Sequence, residues 1–266
     1  MHGPRPVGAI LPVMPRSASR PPLRAPVARE ASGVTYLLRR SERARRLRLS
    51  LDDDGNALVT LPSRAPVSAA DAFVALRRDW IARQLQRYAA ERARHESRGP
   101  LRDGGTFVLS GQPHRLDVRV TSRARTTIEH DDSIVPTIRI LRAPADERPL
   151  APVLERWLRR EARAAVERRV TARAPQLGVT PTAVSIRDQR SRWGSASRAG
   201  RLSFSWRLVL APPAVLDYVV VHELAHLAVF GHPPAFWSLV RSVVPEADAA
   251  RRWLRAHARE LHWSLS

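Results

Sequence analysis

Leu47, Leu49 and Leu51 alternate with Arg46, Arg48 and Ser50. A period of two puts the two sets on opposite faces of a half-buried strand. Asp52-Asp-Asp-Gly-Asn56 supplies turn chemistry, and Ala57 to Leu61 reads as the returning strand, stopped by Pro62. The period then changes. Phe73, Leu76, Trp80, Ile81, Leu85 and Tyr88 recur at helical spacing to about Arg94, behind a capping-box-like start at Ser68-Ala-Ala-Asp71. Trp80 and Tyr88 read as core.

Thr106 to Leu109 and His114 to Val120 predict a hairpin around Ser110-Gly-Gln-Pro113, with His114 as a surface histidine. Residues 121–148 are weakly patterned, with one strand at Thr137 to Leu141. A second long helix spans Ala151 to Ala172, its apolar stripe formed by Leu154, Trp157, Leu158, Ala165 and Val166. Ala183 to Arg187 and Leu202 to Val209 read as strands around a polar loop, and the remainder is helical. The chain is therefore expected to be α+β. A Pro/Arg-rich disordered tail would cover 1–33, an α+β part 34–148 and a metal-bearing part 149–266.

Composition narrows the chemistry. With no cysteine, disulfides, thiolate catalysis and Cys-ligated zinc are excluded, so a metal must sit on imidazole and carboxylate. The formal charge of +20 comes entirely from arginine, there being no lysine. Either an Arg-rich solvated surface or a polyanion contact, to nucleic acid or a phosphorylated ligand, accounts for it. No segment reaches the ~20 apolar residues of a membrane span, and Val7 to Met14 lacks a signal-peptide core. No membrane association is expected; a cytoplasmic protein is.

Pro212 to Phe230 reads as one buried helix, prolines being tolerated in a first turn whose N–H groups lack intrahelical partners. His222 and His226, four residues apart, project from one face within reach of one ion. Glu223 is turned about 100° from His222 and can sit beside the metal's water without ligating. Zn2+ suits such a site: it accepts imidazole nitrogen, leaves a position for water and lowers that water's pKa, and Glu223 would be the general base. The third ligand is His232 or Glu246. Were the helix to continue, His232 would lie ~15 Å along its axis from His222, but Gly231, Pro233 and Pro234 stop it and can fold His232 back. Val229 stands where HExxHxxGxxH proteins have glycine, so the turn is expected after it. His257 and His262 read as surface or packing residues. Arg190, Arg192 and Trp193 lie in the polar loop. They either line the cleft, with Arg192 stabilising an oxyanion or binding phosphate, or pin a structural loop through Trp193.

Four blocks in order resemble the YgjP-like, WLM- and SprT-related zinc metallopeptidase domains. They are Arg40-Ser-Glu-Arg-Ala-Arg-Arg46, Phe73 through Trp80-Ile81, Asp188-Gln-Arg-Ser-Arg-Trp-Gly-Ser195, and Trp206 to Pro213 leading into His222-Glu-Leu-Ala-His226 and His232-Pro-Pro-Ala-Phe-Trp237. The resemblance implies a zincin-like α+β fold with zinc on His222, His226 and His232. Ala196 replaces a common cysteine, and Gly231 and Pro233 replace a common asparagine and serine, which bears on substrate contacts. The expected activity is zinc-dependent peptide hydrolysis, with the strand Leu202 to Leu208 aligning an extended peptide. Metal-dependent phosphoester or nucleotide hydrolysis and a DNA-associated role are the alternatives.

Overall fold

The computed structural model describes residues 25–52, 54–97, 99–189 and 192–265. The chain divides into two compact units between Ala89 and Ala90. In the first, a mixed sheet has the order β1-β2-β4-β3, with β1 at Val27–Ala31, β2 at Val34–Ser41, β3 at Arg48–Leu51 and β4 at Ala57–Pro62. β1 falls inside the stretch expected as tail. It pairs antiparallel with β2 from Val27↔Leu38 to Ala31↔Val34, so its backbone groups are satisfied in a ladder even though its side chains bury little. Residues 1–24 of that tail lie outside the described residues.

Two helices follow where one was expected: α1 at Val67–Leu76 and α2 at Arg78–Glu96, separated at Arg77 (φ −109°). α1 begins after Pro66, one residue before Ser68, and no side chain caps it. Asp71 is used elsewhere, accepting from Tyr36 Oη at 2.6 Å and from Arg29 Nη2 at 3.1 Å. Tyr36, Leu38, Val59, Leu61, Val74 and Ile81 form this unit's core, with Trp80 packed against it. Gly55 (φ +86°) turns β3 into β4 beneath Tyr88, where a Cβ would lie 2.3 Å from the ring. Only glycine meets both demands.

The second unit opens with the sheet β5-β6-β8-β7, in which β5 is Thr106–Leu109, β6 Gln112–Val120, β7 Thr127–Asp131 and β8 Thr137–Arg142. Ser110 and Gly111 make the β5–β6 turn, both at positive φ, as a two-residue hairpin demands. β7 was not anticipated. It is an edge strand whose only apolar residue is the half-buried Ile128, so it shows no alternation. His114, expected at the surface, shares its strand face with Leu116 and is 2% exposed.

α3 (Leu150–Arg173) leads to a three-stranded sheet of order β10-β11-β9, with β9 at Ala183–Arg187, β10 at Gly194–Ala196 and β11 at Arg201–Ser205. The strand expected to run to Val209 stops at Ser205. Its hydroxyl accepts from Arg207 N–H and starts a 3-10 turn over Trp206–Leu210. α4 (Pro213–Ala228), α5 (Pro234–Val243) and α6 (Ala247–Trp263) complete the chain. Phe107, Leu116 and Ile138 from the strands share one core with Leu154, Trp157 and Leu158 of α3 and Val220 and Leu224 of α4. Packing therefore does not divide near residue 148. The expected α+β class holds, with three sheets and six α-helices among the described residues. No described helix is long and apolar enough to cross a membrane.

Candidate metal centre

α4 forms because Pro212 and Pro213 set its first turn and an almost unbroken apolar run can be buried on several sides. Val215, Leu216, Val219, Val220, Val221 and Leu224 are all inside. Among them Glu223 is a buried carboxyl, 6% exposed. His222 and His226 sit one turn apart with ring centroids 4.9 Å from each other.

How the helix ends decides which candidate third donor comes near the pair. The Val229 N–H closes the last turn on Ala225 C=O at 2.8 Å, and Val229 itself is already extended (φ −130°, ψ 116°). The turn thus comes at Val229 rather than after it. An extended residue needs no glycine, and the left-handed position falls two residues later at Gly231 (φ +80°). Pro233 and Pro234 then start α5. This path returns His232 to the helix, with its Nε2 3.2 Å from His222 Nε2. Donor atoms of His222, His226 and His232 all lie within 4.8 Å of one another. Glu246, the competing candidate, is exposed at the start of α6 and is not in that group.

The three rings fit a metal. Tetrahedral zinc with Zn–N near 2.0–2.1 Å has its nitrogens about 3.3 Å apart, close to the His222–His232 separation. Burial, with His226 and His232 nearby, pushes His222 down to about 3, and burial also lowers His226. Neutral imidazole is the ligating form. Aromatic rings hold the set from behind: Phe236 stacks on His226 at 4.5 Å, and Trp237 stacks on His232 at 5.6 Å. Among the described residues, His222 Nδ1 is buried without a hydrogen-bond partner, so packing rather than an outer hydrogen bond orients that ring. Phe236 and Trp237 were not singled out as site residues. Their signal was their place two and three residues into an apolar helix face beginning just after His232.

Glu223 faces β10. A Cβ on Gly194 would lie 2.6 Å from Glu223 Cγ and 2.7 Å from Oε1, so the glycine is what lets the strand approach the carboxyl. Burial pushes Glu223 up to about 7, opposed by the Arg192 charge and a hydrogen bond from the Ala196 N–H. Of the loop candidates, Arg192 is exposed and acts on Glu223 through its charge. Trp193 stacks on His262 of α6 at 5.1 Å, which supports the pinning role for the indole. Arg190 lies outside the described residues. The loop's other end is tied by Asp188, which pairs with the buried Arg207. His257 stacks on Trp253 at 4.1 Å and, like His262, is a packing residue.

No curated protein gives a match. Over 34% of this chain and 92% of the other, the protein is similar to the metallopeptidase zymogen abylysin of Pyrococcus abyssi, at 26% identity and a TM-score of 0.31. The family model for the YgjP-like metallopeptidase domain matches residues 45–257. That span begins just before β3, ends within α6 and takes in all three clustered histidines and the carboxyl beside them, so the chain belongs to the YgjP-like metallopeptidase domain family.

Proposed function

We propose that the protein is a zinc-dependent peptidase in which His222, His226 and His232 hold the ion and Glu223 is the general base. One observation carries the reading: a buried carboxyl, next along α4 to a histidine of the three-imidazole cluster, packs against the edge strand β10. When bound, zinc supplies a Lewis acid for the scissile carbonyl and lowers the pKa of water. Glu223 accepts a proton from the attacking water as the new C–O bond forms, and returns it to the amine as the C–N bond breaks. The Ala196 N–H and the Arg192 charge hold the carboxylate for that exchange.

The expectation that the strand Leu202 to Leu208 aligns substrate needs correction. β11 is the central strand, with β10 on one side and β9 on the other, so it has no free edge. β10 does. Trp193 C=O and Ser197 N–H bond inward to β11, and alternation turns the Gly194 backbone groups and the Ala196 C=O outward, the Ala196 N–H being taken by Glu223. An extended peptide adding there would lie beside Glu223.

The test is Glu223→Gln, which keeps shape and removes the base. Peptide hydrolysis should be lost while metal content stays at the wild-type level; hydrolysis at the wild-type rate would refute the assignment. A second reading, phosphoester hydrolysis, is favoured by the exposed cation of Arg192 near the carboxyl. Metal-dependent phosphate release from nucleotides, without peptide cleavage, would select it.

A further inference from the structure

We propose that His114, His130 and Asp132 form a second divalent-metal site of zinc type, separate from the cluster on α4 and serving to clip the β5-β6-β8-β7 sheet. The site is independent of the peptidase reading. His114 lies on β6 and His130 on β7, with β8 between them. The register places Leu116 opposite Ile138 and His130 opposite the same Ile138. His114, two residues before Leu116, is therefore on the face from which His130 projects. Asp132 follows at the end of β7.

Three atoms meet there. His114 Nε2 is 3.0 Å from His130 Nε2 and 3.2 Å from Asp132 Oδ1, and His130 Nε2 is 2.8 Å from the same oxygen. Each imidazole nitrogen has one in-plane position, filled by either a proton or a lone pair. If both nitrogens carry protons and donate to the carboxylate, they oppose each other 3.0 Å apart. If one nitrogen accepts, its contact with the carboxylate oxygen joins two lone pairs. With Asp132 ionised, no placement of protons satisfies all three contacts, whereas one cation shared by the three atoms does.

The ring of His114 is already set for that role. Its Nδ1 lies 3.0 Å from Gln112 C=O, and a carbonyl only accepts, so Nδ1 carries the hydrogen. In the neutral ring Nε2 then presents its lone pair. This is the outer hydrogen bond that ligating histidines usually make, and it fixes tautomer and orientation. His114 is 2% exposed, and leaving such a lone pair buried without a partner is costly. Two imidazole nitrogens and a carboxylate oxygen suit zinc or a related first-row ion. The Asp132 side chain is 73% exposed, so an ion can enter from solvent and keep water in its fourth position. Bound there, the ion ties the edge strand β7 and the turn after it to β6 across β8, in a chain that has no cysteine for a disulfide.

The test compares metal content. Full-length wild type, Asp132→Ala, His130→Ala and His222→Ala are stripped with chelator, loaded with micromolar zinc, desalted and assayed for bound metal. Asp132 and His130 are partly exposed, and circular dichroism checks that their variants fold. The expected result is that Asp132→Ala and His130→Ala each hold one zinc fewer than wild type, and that His222→Ala keeps the zinc these two lose. Trp157, whose ring is 6.1 Å from that of His130, provides a second readout. Co2+ should quench tryptophan emission more in wild type than in Asp132→Ala. Equal zinc content in wild type and Asp132→Ala overturns the proposal. Loss of every bound ion in His222→Ala refutes the α4 assignment's independence from this site, and so overturns it too.

Discussion

The histidine cluster on α4 and the one on the β6–β7 face bring imidazole nitrogens to 3.2 Å and 3.0 Å respectively, yet they are held by different means. Packing holds most of the α4 set: Phe236 and Trp237 stack on two rings and His222 Nδ1 has no hydrogen-bond partner among the described residues, while His226 also bonds the Val229 backbone. On the sheet, the Gln112 carbonyl fixes His114. The first cluster also has a buried carboxyl packed against a strand edge; the second lies partly on the edge strand β7, but its one carboxylate, Asp132, is 73% exposed. The difference teaches that clustered donors suit an ion, whereas the proposed chemistry also needs a buried proton acceptor and a place for substrate next to it.

The sharpest way to break this contrast is Glu223→Gln. Peptide hydrolysis should fall by about 100-fold or more, with metal content unchanged by elemental analysis, while Asp132→Ala leaves hydrolysis alone. Gly194→Ala comes next. The added methyl displaces the Glu223 carboxyl from its place against β10, so activity should drop by about 10- to 100-fold in a folded protein. An unchanged rate would detach β10 from the reaction. Trp237→Ala removes the stack on His232 and should weaken zinc affinity at the α4 cluster by about tenfold, measured by competition with a chromogenic chelator. No weakening would mean the rings need no aromatic backing. The smallest effect belongs to the sheet cluster. Excess zinc should raise the melting midpoint of wild type over that of Asp132→Ala by a few degrees, about 2–4 °C for each kcal/mol of linkage; equal midpoints would remove the clip.

The two clusters also differ in how readily the chain reveals them. On α4 the donors fall within eleven residues, at helical spacing and before a Gly-Pro break, so local rules suffice. His114 and His130 belong to strands separated by β8, and their meeting depends on a parallel register that no local pattern encodes. A partial signal did exist: His114, Leu116 and Val118 share one strand face, which argued against a surface position. Other departures have local causes. The α1–α2 break at Arg77 carries no glycine or proline, β7 lacks alternation because it is a polar edge, and the Ser205 hydroxyl ends β11 inside an apolar run that reads as strand. The sharing of one core by the β5–β8 sheet and α3 is a tertiary choice made by Leu154, Trp157 and Leu158, invisible in a Pro-rich stretch that resembles a linker.

β10 is three residues long. At about 3.3 Å per residue it offers a rail of about 10 Å, room for only two or three consecutive backbone units of an incoming chain. On the proposed peptidase reading, a polypeptide could engage it only where it is already extended and free of its own pairing, so folded proteins would be spared and loose ends or unfolded segments selected. So short an edge is also a poor template for a second copy of the same strand. Among the described residues, the sheet margin beside Glu223 is thereby a weak site for self-association.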